Sequence, residues 1–114
     1  MNCKECSEEQ ENYIAKLLGG KVVAGSGAKP FNKGDVRVKD FLLVECKTQV
    51  KKAESYKIEK KIIDKVSEEA FGSNINNYAV AFNFGDNENN YFIVNQKFFK
   101  ELLQCYKDIN NDRL

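Results

Sequence analysis

Apolar residues fall at helical spacing at Ile14, Leu17 and Leu18, and Ser7-Glu8-Glu9-Gln10 ahead of them has the form of a helix start. Ser7 can cap, Gln10 occupies the capping-box position, and acids favour a first turn. Gly19-Gly20 then ends the helix. Lys21 to Ala24 reads as a short strand, and Gly25 to Pro30 as a loop. Residues 35–39 alternate, with Val36 and Val38 on one face and Asp35, Arg37 and Lys39 on the other. A second strand, 41–49, starts apolar and turns polar. Ile58, Ile62, Val66 and Ala70 place a helix over 57–71. Tyr78 to Phe82 reads as a buried strand, Gly85 to Asn90 as a turn, and Tyr91 to Val94 as a further strand. A last helix over 96–106 should turn Phe99, Leu102, Leu103 and Tyr106 inward.

The order is α-β-β-β-α-β-β-α, an α/β protein with a central mixed sheet flanked by helices. Its 114 residues suit one domain over 1–114, with 1–6 and 108–114 as flexible tails. No apolar run nears the roughly 18 residues of a membrane span. The polar start is unlike a signal peptide, so a cytoplasmic protein that contacts no membrane is expected.

The apolar pattern also fixes a register. If the 35–47 hairpin centres on Asp40, Val38 opposes Leu42 and Val36 opposes Val44. Asp35 then opposes Glu45, with Lys47 two residues on and on the same face. A turn one residue shorter would put Val36 against Leu43 and part the two acids. Opposed carboxylates repel, so either a cation lies between them or both are solvated at a sheet edge. Two carboxylates, a backbone carbonyl and waters suit Mg²⁺ or Mn²⁺. The spacing alone leaves the two readings level.

Composition narrows the chemistry. There is no histidine, which removes Ser-His and Cys-His machineries. Cys3 and Cys6 form a CxxC, but Cys46 and Cys105 are isolated and complete no zinc site, so reduced structural thiols are expected. The net charge is only +1, yet residues 21–65 hold twelve Lys or Arg against six Asp or Glu. That excess is either a phosphate-binding face or a solvated lysine-rich surface.

Asp35, nine intervening residues, then Glu45-Cys46-Lys47 resembles the PD-(D/E)xK nuclease signature. The surrounding order sharpens the likeness: a Glu-bearing helix, Gly-Gly, a strand, Gly-Ser-Gly, Lys-Gly-Asp, then Glu-Cys-Lys-Thr. From Ser7 to Phe84 it is similar to small phage-type and archaeal-type Holliday junction resolvases. Gly34 stands where the family name has proline. The resemblance implies a restriction-endonuclease-like core and a Mg²⁺-dependent endodeoxyribonuclease, with Mn²⁺ able to substitute and no organic cofactor. Asp35, Glu45 and the Cys46 backbone carbonyl would hold the metal, and Lys47 would orient water or stabilise phosphate charge. A first-helix acid would join them. Glu11 is expected, at the edge of the core-facing stripe, ahead of Glu8 and Glu9.

Ser26, Lys29, Lys33, Gln49, Lys51, Lys52 and Lys57 are candidate DNA contacts, each with an ordinary surface or turn role as the alternative. Tyr56 is expected at the core edge. The substrate implied is branched DNA, cut by a homodimer paired through the last helix or the 78–94 strands. Duplex, flap or nicked DNA, a non-catalytic nucleic-acid-binding module and a structural protein are the alternatives.

Overall fold

The structure, a computed structural model, describes residues 1–23 and 34–111. A five-stranded mixed sheet in the order β1-β2-β3-β4-β5 carries three helices. The elements are α1 (Cys3–Leu18), β1 (Lys21–Val22), β2 (Val36–Val38), β3 (Leu42–Lys47), α2 (Lys60–Gly72), β4 (Asn77–Phe82), β5 (Tyr91–Ile93) and α3 (Gln96–Asn111). β3 and β4 run parallel, joined through α2, and the other neighbouring pairs are antiparallel.

The hairpin register follows the hydrophobic pattern. Val36 pairs with Val44 and Val38 with Leu42 across a three-residue turn at 39–41. Lys39 takes φ 48, and Arg37 holds the turn through the Lys39 carbonyl and the Asp40 carboxylate. Alternation then sorts the strands into two cores. Val36, Val44, Ala79 and Ala81 pack with Ile14 and Ala15 of α1. Leu43 and Val80 pack on the other side with Val66 and Ala70 of α2, and with Ile58 and Ile62 as their stripe requires.

Three expectations need correction. α1 begins at Cys3, not after Ser7, because the Asn2 side chain accepts the Glu5 amide and caps it. Residues 3–6 are therefore helical rather than a tail, and Cys6 is buried. α3 runs on to Asn111, so residues 108–111 are helix as well. Phe99, Leu102, Leu103 and Tyr106 do not turn inward: they are exposed, and no residue of α3 is buried. Residues 24–33 and 112–114 lie outside the described residues, and with them the predicted 25–30 loop and Ser26, Lys29 and Lys33. No helix among the described residues is long and apolar enough to cross a membrane.

Candidate active site

β2 and β3 part company at Asp35. Its backbone amide still donates to the Val44 carbonyl at 2.9 Å. Its carboxylate Oδ2 then accepts the Cys46 amide at 2.7 Å, where an uninterrupted strand would offer a backbone carbonyl. In an extended strand the N–H and C=O of one residue point the same way, so the Cys46 carbonyl also faces Asp35. Gly34 makes this approach possible. Its φ is +82°, which proline cannot adopt, and a Cβ there would sit 2.5 Å from Leu43 Cδ1.

Glu45 projects from β3 toward α2 and is buried. Two lysines reach it, Lys47 Nζ at 3.5 Å from Oε2 and Lys65 Nζ at 3.9 Å from Oε1. They do not offset its surroundings: burial and the Asp35 charge still hold its carboxyl above the ordinary carboxylate range. Glu11 of α1 belongs to the same group. Burial, then Asp35, then Glu45, then Glu8 push its carboxyl up from 4.5 to about 7. Three carboxylates from three segments therefore repel one another around Asp35. Burial, followed by the charges of Asp35, Glu11 and Glu45, also pushes the Cys46 thiol up, so this cysteine is a neutral side chain facing the α1 core.

The other first-helix acids differ from Glu11 in setting. Glu9 accepts a hydrogen bond from Asn87 at 3.0 Å on the 83–90 turn, and Glu8 is exposed. Gln49 donates to the Asn83 carbonyl at 3.3 Å, while Lys51, Lys52 and Lys57 lie exposed along the connector that leaves β3. Tyr56 lies at the core edge, its ring centroid 5.8 Å from that of Phe82. Phe82, Phe84 and Tyr91 continue this aromatic group beside Lys47, whose strand partner is Phe82.

Three contributors escaped the sequence reading. Gln10, taken as a capping-box residue, is buried, and its amide reaches the Lys47 carbonyl at 2.8 Å and Asn90 Oδ1 at 3.1 Å. It fixes the end of β3 against α1. Lys65 and Glu69 lie one turn apart on α2 with Nζ and Oε2 3.9 Å apart. The Glu69 side chain is 8 % exposed, and its Oε1 has no hydrogen-bond partner among the described residues. Each precedes a core position, Val66 or Ala70, by one residue, which was the available signal.

A metal was tested against these donors. Among the described residues no group of three or more His, Cys, Asp or Glu is placed to hold an ion. Two carboxylates and one carbonyl, with negative charge that the two lysines do not offset, suit Mg²⁺ in donor type. They do not fit zinc, which wants nitrogen or sulfur. Cys6 is committed elsewhere, its Sγ 3.5 Å from the Gln49 carbonyl, and all four thiols are free.

Comparison of the chain with protein-family models, with curated proteins and with solved structures found no match.

Proposed function

We propose that the chain is a Mg²⁺-dependent DNA endonuclease of the PD-(D/E)xK kind, on a restriction-endonuclease-like core, acting on branched DNA. One observation carries the reading. Glu11, Asp35 and Glu45 converge from α1, the β2 entry and β3, with the Lys47 ammonium against Glu45. Repelling carboxylates in a folded protein represent stability given up for a site. Asp35, Glu45 and the Cys46 carbonyl would hold the ion, which supplies Lewis acidity and charge compensation when bound.

The chain's own groups divide the remaining work. Lys47 is held by Glu45 on one side and by Gln10 through its carbonyl. Its ammonium offers a fixed positive charge to the phosphate as negative charge grows there. Glu11, with a carboxyl near neutrality, takes the proton of the attacking water. A bond forms from that water oxygen to phosphorus and the bond to O3′ breaks, leaving a 5′-phosphate and an O3′ oxyanion that takes a proton from solvent to become the 3′-hydroxyl. Lys65 shares Glu45 with Lys47 and is held from behind by Glu69. The aromatic group of Tyr56, Phe82, Phe84 and Tyr91 beside Lys47 supports a substrate with unstacked bases, as at a branch point.

A substrate panel tests this: four-way junction, flap, nicked duplex, duplex and single strand, each with Mg²⁺ or Mn²⁺. The expected result is cleavage of branched forms and about a 10²- to 10³-fold loss in Lys47→Ala. Binding in Ca²⁺ without cleavage in Mg²⁺ would make the chain a non-catalytic binding module. Neither binding nor cleavage would end the nucleic-acid reading.

A further inference from the structure

Basic residues gather at one corner of the sheet, two residues and more along β2 from Asp35. β1 pairs with β2 so that Lys21 lies directly opposite Arg37. Opposed residues share a face, and like charges placed this way repel. Lys39 closes the same corner from the β2–β3 turn. Together with Asp40 and the backbone of Gly19 and Gly20, these three side chains line an open pocket of about 380 Å³. Small-ligand sites have volumes of this order but mostly apolar walls. Cationic walls suit an anion instead.

The charges at this corner do not cancel. Asp40 pairs with Arg37 at 2.8 Å. Lys21 and Lys39 are exposed, and no acid among the described residues pairs with either. The segment between β1 and β2, residues 24–33, holds Lys29 and Lys33 and no acid. The C-terminus of α1, capped at Gly19, adds about half a negative charge. Three cations against Asp40 and that helix end leave a positive surplus of about one and a half charges.

Two of the cations are also held in place at a cost. Arg37 Nε donates to the Lys39 carbonyl at 2.9 Å, and Nη2 to Asp40 Oδ1 at 2.8 Å. Two of the guanidinium's five N–H donors are thus used, and the others stay open among the described residues. Lys39 takes φ 48, a left-handed backbone that glycine adopts more cheaply. Non-glycine residues held this way cluster at functional sites.

We infer that this corner binds a backbone phosphate of the substrate strand beside the scissile bond, through Arg37, Lys21 and Lys39. The ligand rests on the nuclease reading; the site rests on the pocket and its charge. Asp35 and Arg37 are two residues apart on one strand and share a face. Arg37 is about 7 Å along β2 from Asp35, and Lys39 about twice as far. A duplex strand carries a phosphate about every 3.4 Å of helix axis, so the corner reaches about two to four phosphates from the cut. An anion there would relieve the Lys21–Arg37 repulsion, as a cation would relieve that of Asp35 and Glu45.

The test measures binding of a labelled four-way junction in Ca²⁺ across about 50 to 200 mM salt. Each lost phosphate contact should make the slope of log K against log salt shallower by about 0.9. Lys21→Gln and Arg37→Gln should each do so, and together by about twice as much. Lys107→Gln removes the same charge from α3, lines no part of the pocket, and should leave the slope unchanged. Lys39→Gly separates binding from folding: it should melt at or above the wild-type temperature and still lose about 0.9 in slope. A second arm titrates inorganic phosphate against ¹⁵N-labelled protein and follows the Arg37 Nε signal, which should shift without saturating. Wild-type binding with slopes unchanged in Arg37→Gln and Lys39→Gly would overturn this inference and leave the nuclease reading standing. Saturation by inorganic phosphate at unchanged slopes would also overturn it, because the ligand would then be a free anion. No binding of the junction by wild type would overturn the nuclease reading as well.

Discussion

Replacing Glu11 by glutamine should make the metal-free protein more stable near and above pH 7 and leave it unchanged below about pH 4.5. The carboxyl rises from 4.5 in the unfolded chain to about 7 in the fold. Between these values the folded state holds a proton that the unfolded state has lost, so stability falls as pH rises through the window. Below it both states are protonated and the repulsion is absent. Above it the charged form bears the full penalty, about 3 kcal/mol if nothing screened it. Glu11 remains partly hydrated, and screening reduces the recoverable gain to about 1 kcal/mol. For a chain of this size that is about 4 °C in Tm. Thermal melts of Glu11→Gln and wild type in EDTA at pH 4, 6 and 7.5 measure it. Added Mg²⁺ should shrink the difference, because the ion offsets the repulsion only where the carboxylates are intact. A variant that is less stable than wild type at pH 7.5, or a difference that does not vary with pH, would refute the claim that three carboxylates meet here.

Glu45→Gln should melt at or above the wild-type temperature in EDTA at pH 7.5, since burial and Asp35 outweigh its lysines. A loss of about 3 kcal/mol or more in urea titration would instead show a favourable buried pair. Gly34→Ala should cost about 3 kcal/mol in the same titration, from the left-handed backbone and the clash with Leu43. Asn87→Ala should cost about 2 kcal/mol, because Asn87 links the Cys6 carbonyl, Glu9 and Thr48, and its loss strands buried partners. A loss below about 0.5 kcal/mol would mean that the network contributes little.

Legibility in the sequence followed the strength of local constraint. The β2–β3 register could be read because a slip of one residue would expose Val36 and Val44 together. The α2 stripe could be read because Ile62, Val66 and Ala70 repeat cleanly; the helix starts at Lys60 rather than at 57, and Ile58 packs on the same core from just ahead of it. Glu11 could be placed from its offset to Ile14 and Leu18. The start of α1 was misread because Ser7-Glu8-Glu9 and Asn2 both satisfy capping rules, and sequence does not weigh one cap against another. Gln10 and the Asn83–Asn87 network were invisible because their partners are backbone carbonyls and side chains up to 81 residues away. The apolar face of α3 was read correctly as a face and wrongly as inward. Amphipathicity says that a helix needs a partner, not which chain provides it. Lys65 and Glu69 went unread because the pattern cannot show that Glu45 lies beside them.

Cleavage of a labelled four-way junction by wild type and Glu45→Gln, side by side in Mg²⁺, with binding measured in Ca²⁺, tests the central claim most directly. The account predicts wild-type products bearing 5′-phosphates, a loss of about 10³-fold in the variant, and binding that differs by less than severalfold. Equal cleavage by both proteins, or none by the wild type, would contradict it.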